Sequence, residues 1–172
     1  MSPLPWSEPV RLSEVGRGPH DRKLTADAAA RIRIATALDL VDLPELAAEV
    51  QLAPWMDGAI VHASWRARVV QTCGVTLEPL ESELSGEFDV RAVPQGSVAA
   101  PAEAGALELD LDAPDPPDIL DGDRIDPAAY VVEHLALALD PFPRKPGAVF
   151  QPPEATPEAS LFAVLLELKP RT

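Results

Sequence analysis

The sequence predicts an α+β fold: an antiparallel, twisted β-sheet with helices packed on one face and long acidic, proline-rich loops. Three observations favour this class. Three consecutive segments between residues 43 and 93 alternate apolar and polar side chains, as strands with one buried face do. Two further segments combine helix-capping residues with apolar positions at helical spacing. Twenty prolines in 172 residues indicate long irregular connections.

Length and composition predict one domain. A chain of 172 residues with 47% hydrophobic residues is long enough for one core and short for two. We expect a single domain over residues 1–172, with its core at about 9–93 and 119–141. Residues 94–118 and 141–158 are expected to be mobile loops, and residues 160–169 a C-terminal helix.

The first forty residues predict one strand and one helix. The stretch PVRLSEV (9–15) indicates a short strand, and GRGPHDRK (16–23) indicates a polar loop. Thr25 can cap a helix ADAAARIRIATAL (26–38), with Asp27 favourably placed in its first turn. The RIRI stretch within it also alternates with period two, so a strand remains an alternative there.

The three alternating segments predict an antiparallel meander. They are LPELAAEVQLAPW (43–55), AIVHASWRARVVQT (59–72) and LESELSGEFDVRAV (80–93). Asp57-Gly58 is a hairpin turn signal between the first two. In the middle strand the predicted apolar face holds Val61, Ala63, Trp65, Ala67 and Val69, and the polar face holds His62, Ser64, Arg66 and Arg68.

The second half predicts one well-defined helix between irregular stretches. Residues 94–118 are mostly Pro, Ala, Gly and acid, with one candidate edge strand in ALELDLD (106–112). Asp126 as N-cap and Pro127 as first helical residue predict a helix PAAYVVEHLALAL (127–139). PFPRKPGAVFQPPEATP (141–157) cannot be regular, whereas SLFAVLLELK (160–169) has the apolar stripe of a short helix.

The net charge of −14 is unevenly distributed. Residues 1–72 carry eight Lys and Arg against nine Asp and Glu, and residues 73–172 carry six against nineteen. Nucleic-acid binding needs cations, so RNA contact is expected only from the first half, and DNA binding is not expected. The acidic half is better suited to a basic protein partner. No segment is long and apolar enough for a membrane helix, and the N-terminus lacks a signal peptide, so we expect a cytoplasmic protein.

Cys73 is the only cysteine, and the sequence favours a packing role for it. A nucleophile needs a base, and neither His62 nor His134 is expected near it. Its charged downstream neighbours are acidic, so nothing is expected to lower its pKa. A zinc site needs three or four ligands, and Thr76 stands where a CxxC pair would place the second thiolate. No metal, cofactor or catalytic set is therefore predicted.

Two basic groups are candidate RNA or partner contacts. His62, Arg66 and Arg68 share one face of a predicted strand, on which side chains two residues apart lie about 7 Å from each other, as a phosphate-binding strip would require. The favoured alternative is neutralisation by the acidic face of the next strand, whose members are Glu81, Glu83, Glu87 and Asp89. The second group is more accessible but lacks interleaved aromatic residues, which also fits a solvated surface. It comprises Arg17, Arg22, Lys23, Arg31 and Arg33.

Three stretches together resemble the YceD family, the large ribosomal RNA subunit accumulation proteins of bacteria. VVQTCGVTLEPLESELSGEFDV resembles its central motif, IDPAAYVVEHLALALDPFP its second motif, and SLFAVLLELK its C-terminal ending. The resemblance runs from about residue 43 to the end. It marks a set of motif positions in this chain: Cys73, Leu77, Pro79, Ile125, Asp126, Glu133, Leu137 and Leu139.

The resemblance implies residue roles and a function. In some members the central cysteine begins a metal-binding CxxC pair; here Cys73 matches its first position, but Thr76 and RKPGAVF (144–150) lack the other ligands. Asp126 has a capping role, and Ile125, Leu137 and Leu139 are expected in the core. Glu133 has no such reason and is expected to pair with an Arg or mark a contact surface. The implied function is non-enzymatic support of large-subunit (23S) rRNA accumulation through a ribosomal protein, assembly factor or precursor rRNA. The alternatives are an acidic protein-binding module unrelated to ribosomes, or an RNA-processing enzyme.

Overall fold

The computed structural model describes residues 4–18, 20–100 and 115–150, and its architecture is α+β. A five-stranded mixed sheet has the order β2-β3-β4-β5-β6, and a two-stranded sheet pairs β1 with β7. The strands are β1 Val10–Arg11, β2 His20–Thr25, β3 Asp42–Trp55, β4 Gly58–Thr72, β5 Pro79–Pro94, β6 Asp118–Leu120 and β7 Arg124–Ile125. The helices are α1 Leu12–Val15, α2 Ala28–Ala37 and α3 Pro127–Ala138.

The predicted meander is confirmed as β3, β4 and β5. All three are long and antiparallel, and the residues that alternation placed on one face are those that the register aligns. The row Val50, Ala63 and Phe88 crosses the three strands on the buried face, for example. Period-two alternation therefore fixed both the strands and their faces.

The β3–β4 hairpin turns at Met56 and Asp57, one residue earlier than the Asp57-Gly58 signal indicates. Met56 has a φ of 52°, in the left-handed region that two-residue hairpin loops use. Gly58 is instead the first residue of β4. A Cβ there would lie 2.0 Å from the carbonyl oxygen of Ala92, so close packing against β5 requires glycine.

The prediction for residues 9–25 is wrong in two places. Only Val10–Arg11 forms a strand, because Val10 pairs with Ile125 and the chain then turns into the short α1. The polar stretch expected to be a loop contains β2, an edge strand that pairs with β3 from His20 to Thr25. Leu24 is the one buried side chain of β2, too little alternation for the sequence to indicate a strand.

The sheet is mixed rather than wholly antiparallel. Asp118–Leu120 forms β6, which lies parallel to the last three residues of β5. The strand expected in residues 106–112 and the C-terminal helix expected at 160–169 lie outside the described residues. No helix that the described ranges contain is long and apolar enough to cross a membrane.

The two main helices begin at side-chain caps. The Asp126 carboxylate accepts hydrogen bonds from the backbone N–H of Ala128 and Ala129, and Pro127 is the first residue of α3, as predicted. The cap of α2 is Asp27 rather than Thr25, because the Asp27 carboxylate accepts from the Ala30 N–H at 2.7 Å. The helix and not the strand alternative is therefore correct for RIRI.

The core lies between the apolar face of the sheet and the helices. Its largest fully buried side chains include Ile34 from α2, Leu52 from β3 and Leu135 from α3. Phe88 of β5 stacks on the His134 ring of α3, with ring centroids 4.0 Å apart. Among the described residues no polar or charged residue is buried in this core. The opposite face of the sheet carries mostly polar and charged side chains.

Candidate functional site

The candidate site is the polar face of the sheet, where side chains form cross-strand rows. One row runs Asp21, Gln51, His62 and Asp89 across β2 to β5, and the next runs Lys23, Glu49, Ser64 and Glu87. These rows line a groove of about 810 Å³.

Acidic side chains of the neighbouring strands contact the basic side chains of β4. The His62 Nδ1 atom lies 2.5 Å from an Asp89 carboxylate oxygen. Arg66 Nε donates to Glu45 at 3.1 Å. Arg68 lies 3.5 Å from Glu81 and 3.9 Å from both Glu83 and Glu45.

These contacts agree with the favoured alternative that acidic neighbours neutralise the strip of His62, Arg66 and Arg68. Glu45 was not foreseen, because its role depends on the β3–β4 register rather than on local sequence. Each of these side chains is at least 41% exposed, so each pair contributes about 0–1 kcal/mol. The strip is therefore a paired surface rather than a row of available cations.

The polar face keeps an excess of negative charge after this pairing. Eight carboxylates face four permanent cations there. The carboxylates are Asp21, Asp42, Glu45, Glu49, Glu81, Glu83, Glu87 and Asp89, and the cations are Lys23, Arg66, Arg68 and Arg91. Lys23 is held 2.9 Å from Glu49, which lowers the pKa of that carboxyl. Arg91 lies 5.6 Å from the Trp55 ring centroid in a cation–π contact that the sequence did not indicate.

The second basic group does not form one surface. Lys23 points to the polar face, whereas Arg22 aligns with Val50 on the opposite face of β2. Arg31 and Arg33 lie on α2 and donate to the backbone carbonyls of Ala26 and Pro5, each at 2.9 Å. Arg17 is exposed between α1 and β2. The structure thus places these five cations on different elements and faces.

The only cysteine lies at a corner between β4, β5 and the segment after α3. The Cys73 side chain is fully buried, as predicted, and its Sγ accepts the backbone N–H of Thr76 at 3.5 Å and of Lys145 at 3.4 Å. The Gly74 N–H donates to the Pro143 carbonyl at 2.8 Å. The Lys145 ammonium lies 2.7 Å from the Glu78 carboxylate, an ion pair that holds the pKa of Glu78 below its usual value.

The expectation that nothing lowers the pKa of Cys73 is wrong. Hydrogen bonding by the Thr76 side chain, followed by the backbone N–H groups, lowers that pKa to about 6, against an opposing effect of burial. Lys145 was missed because it follows Cys73 by 72 residues and only the fold brings the two together. No group of three or more His, Cys, Asp or Glu side chains in the described ranges could hold a metal ion.

The remaining motif positions divide between core and surface. Ile125 is fully buried and Leu139 packs partly against the core, as expected. Leu137 is 81% exposed, so the expectation that it lies in the core is wrong. It is two residues from the buried Leu135, which on a helix is the opposite side. Glu133 is exposed on α3, and Leu77 is 77% exposed with a φ of 59° in the Cys73 turn.

The Asp126 cap also fixes the N-terminal segment. Its carboxylate accepts from the Ser7 hydroxyl at 2.5 Å and from the Glu8 N–H at 2.9 Å, 118 or more residues away in sequence. Pro79 is the first residue of β5 and pairs with Thr72. Most of the motif positions therefore stabilise the elements around the sheet, whereas the excess negative charge lies on its polar face.

The described residues define an α+β protein whose main sheet is covered by helices on one face and carries an excess of acidic side chains on the other. The model of one protein family, described as large ribosomal RNA subunit accumulation protein YceD, matches residues 61–163. That is more than half of the chain, which therefore belongs to the YceD family. The match begins within β4 and extends past α3, so it includes the Cys73 corner and the acidic strand β5. No curated protein and no solved structure matches the chain.

Proposed function

We propose that this protein supports accumulation of large-subunit (23S) rRNA without catalysing a reaction, by binding a basic ribosomal protein or assembly factor in the cytoplasm. The family description supports a role in large-subunit rRNA accumulation. The choice of a basic protein as partner rests on the excess of carboxylates on the polar face of the sheet, where eight acids face four permanent cations. A surface of this sign attracts cationic partners.

A protein partner is better supported than direct contact with precursor rRNA. Binding to RNA needs accessible cations that release counterions. Arg66 and Arg68 already contact carboxylates, and Arg31 and Arg33 contact backbone carbonyls. Precursor rRNA would then meet this protein as part of a particle, through the basic partner rather than through the strip on β4.

The two alternatives have less support. An RNA-processing enzyme needs clustered catalytic groups, and most carboxylates of the polar face contact basic side chains of neighbouring strands. A binding module unrelated to ribosomes would fit the charge equally well, but the family match favours the ribosomal role. We propose that the whole chain, residues 1–172, acts as one domain in this role.

Deletion of the gene, followed by sucrose-gradient analysis of ribosomes, tests the function. We expect a reduced large-subunit peak, accumulation of precursor rRNA, and restoration of both by the wild-type gene. The small-subunit peak serves as the internal control. A normal large-subunit peak with normally processed rRNA would contradict the proposal, and purified protein that cleaves precursor rRNA would replace it with the enzymatic alternative.

A further inference from the structure

The longest strand of the sheet has an edge that the described residues leave almost unpaired. β5 runs over sixteen residues, and β6 pairs with only its last three, Ala92–Pro94. Along residues 79–91, no other strand in the described ranges pairs with the side of β5 that faces away from β4. Backbone N–H and C=O groups point outward from alternate residues of such an edge, and they are ready to pair with an added strand.

The polar-face side chains along this edge are acidic at nearly every alternate position. Glu81, Glu83, Glu87 and Asp89 follow one another there, interrupted only by Ser85. Side chains two residues apart in a strand are about 6.6 Å apart, so the carboxylates form a regular line.

Few cations of the sheet balance this line. Arg68 reaches Glu81 and Glu83 at 3.5 and 3.9 Å, and His62 contacts Asp89. No ion pair to Glu87 occurs in the part of the chain that the structure describes. Four carboxylates therefore share one arginine and one histidine, which leaves negative charge beside the free backbone.

The opposite face of the same edge is apolar. Leu84 and Val90 are partly buried and pack against the core, and Phe88 between them is buried on α3. Gly86 lies opposite Trp65, and a Cβ at Gly86 would come within 3.0 Å of the Trp65 ring. A strand added here would thus have one face over carboxylates and one face beside apolar side chains.

We infer that the free edge of β5, residues 81–91, is the docking site for an extended segment of a partner protein in which Lys or Arg alternates with apolar residues. The segment pairs with the β5 backbone as an additional strand, its cations lie opposite Glu81, Glu83, Glu87 and Asp89, and its apolar side chains extend the core. This inference rests on the proposed function, since it names the surface that holds the basic partner.

The charge of the edge also argues against a second copy of this chain. Two antiparallel β5 edges would bring like charges directly opposite each other, which is destabilising. The other edge of the sheet, β2, is shorter and of mixed charge: its polar-face residues Asp21 and Lys23 contact Gln51 and Glu49. Residues 81–91 are therefore the edge that selects a basic segment.

Amide hydrogen exchange with a defined peptide tests this site. The probe is a blocked ten-residue peptide of alternating Lys and Val, added to the full-length protein at low salt, and the control peptide alternates Glu and Val. We expect the Lys peptide to slow exchange at alternate amides between residues 81 and 91, and the Glu peptide to have no effect. The double variant E83K/E87K should bind the Lys peptide at least about tenfold more weakly. The matched variant E14K/D121K, with the same change in net charge, should bind as the wild type does.

Four results would overturn the inference. The first is peptide-induced amide protection at β2 instead of β5, and the second is equal peptide binding by E83K/E87K and wild type. The third is that alternate β5 amides are already protected in the free protein at all concentrations. The fourth is that protection of the β5 amides grows with protein concentration when no peptide is present. The third would mean that another segment of this chain covers the edge, and the fourth that a second copy does. Circular dichroism of E83K/E87K must match the wild type for its result to count; if that variant unfolds, E87Q with a smaller expected loss replaces it.

Complementation separates this inference from the proposed function. If deletion of the gene lowers the large-subunit peak and E83K/E87K restores it fully, the docking edge is wrong and the function stands. If deletion leaves the large subunit normal, the proposed function fails whatever the peptide binds. We expect deletion to lower the peak and E83K/E87K to restore it only in part, whereas E14K/D121K restores it fully.

Discussion

The two faces of β4 differ although they come from the same fifteen residues. Trp65 is 5% exposed and packs in the core, whereas Arg66, the next residue, has a side chain 71% exposed and pairs with Glu45. The inner face is specified by period-two alternation, which the sequence shows directly. The outer face depends on which strands become neighbours, since its ion pairs join residues from β3, β4 and β5. The buried face, which stabilises the fold, can therefore be read from the local sequence. The arrangement of charges on the polar face depends on how the strands assemble into the sheet.

Truncating one side chain on each face of β4 should give the largest difference in the free energy of unfolding. Replacing Trp65 with Ala removes a buried aromatic side chain and leaves a cavity beside Gly86, so we expect a loss of about 3–5 kcal/mol in the free energy of unfolding. Replacing Arg66 with Ala removes an exposed ion pair and should cost about 0–1 kcal/mol. Urea denaturation measures both. Equal losses would mean that Trp65 is not part of the core.

The same contrast applies within α3. Leu135 is fully buried and Leu137 is 81% exposed. We expect Leu135→Ala to lower the free energy of unfolding by about 2–5 kcal/mol and Leu137→Ala to change it by less than about 0.5 kcal/mol. Thermal denaturation of the two variants side by side checks this. A large loss for Leu137→Ala would restore the core position that the sequence indicated.

The Asp126 cap should have an intermediate effect. Its carboxylate accepts from the N–H groups of Ala128 and Ala129 and from Ser7 and Glu8. Asp126→Ala should cost about 1–2 kcal/mol, and Asp126→Asn, which keeps an acceptor oxygen, should cost less. Chemical denaturation compares them. Identical losses in the two variants would show that Asp126 does not stabilise the fold by accepting the hydrogen bonds of a helix cap.

Charge reversal at Arg66 and Arg68 should lower the stability of the fold and leave association with RNA unchanged. In R66E/R68E the new carboxylates lie near Glu45, Glu81 and Glu83, so we expect a loss of about 1 kcal/mol from like-charge repulsion. Association with rRNA in a filter-binding assay should be unchanged relative to R124E/R144E, whose net charge is the same and whose arginines lie outside both basic groups. Loss of RNA association in R66E/R68E alone would make the strip a phosphate contact.

The pH dependence of stability tests the hydrogen bonds of the Cys73 corner. Its folded pKa of about 6 lies below the ordinary thiol value of about 8.5. A depressed pKa adds stability that is full above the unfolded pKa and is lost as the pH falls through about 6. The difference in unfolding free energy between wild type and Cys73→Ala should therefore grow as the pH rises from about 6 to 8.5. Thr76→Val should flatten this trend, and a trend of opposite sign would contradict the account.

Sequence reasoning recovered the elements whose signals are local. The meander followed from alternation over thirteen or more residues in each strand, and α3 followed from Asp126 and Pro127. β2 was missed because its pairing with β3 supplies the stability that its own polar sequence lacks. β6 was missed for the same reason, being three residues long and held by β5. Leu137 was misassigned because an apolar residue in a helix does not by itself indicate its side.

The candidate site was only partly predictable. Alternation placed His62, Arg66 and Arg68 on one face and the acids of β5 on the matching face, and the resulting pairs are present. Register, which sequence alone does not supply, decides that Glu45 joins them. Likewise the contact of Cys73 with Lys145 joins residues 72 apart, which no local pattern encodes. That the described strands leave residues 79–91 of β5 without a second partner follows from the topology of the sheet, which no local pattern predicts.

Affinity capture from an RNase-treated lysate over a series of salt concentrations tests the central claim most directly. We expect wild-type protein to retain a basic large-subunit protein or assembly factor after RNase treatment. We also expect capture to fall steeply as salt rises, and E83K/E87K to retain much less of the same protein than E14K/D121K does. Capture that disappears with RNase, or that is equal for the two variants at every salt concentration, would contradict it.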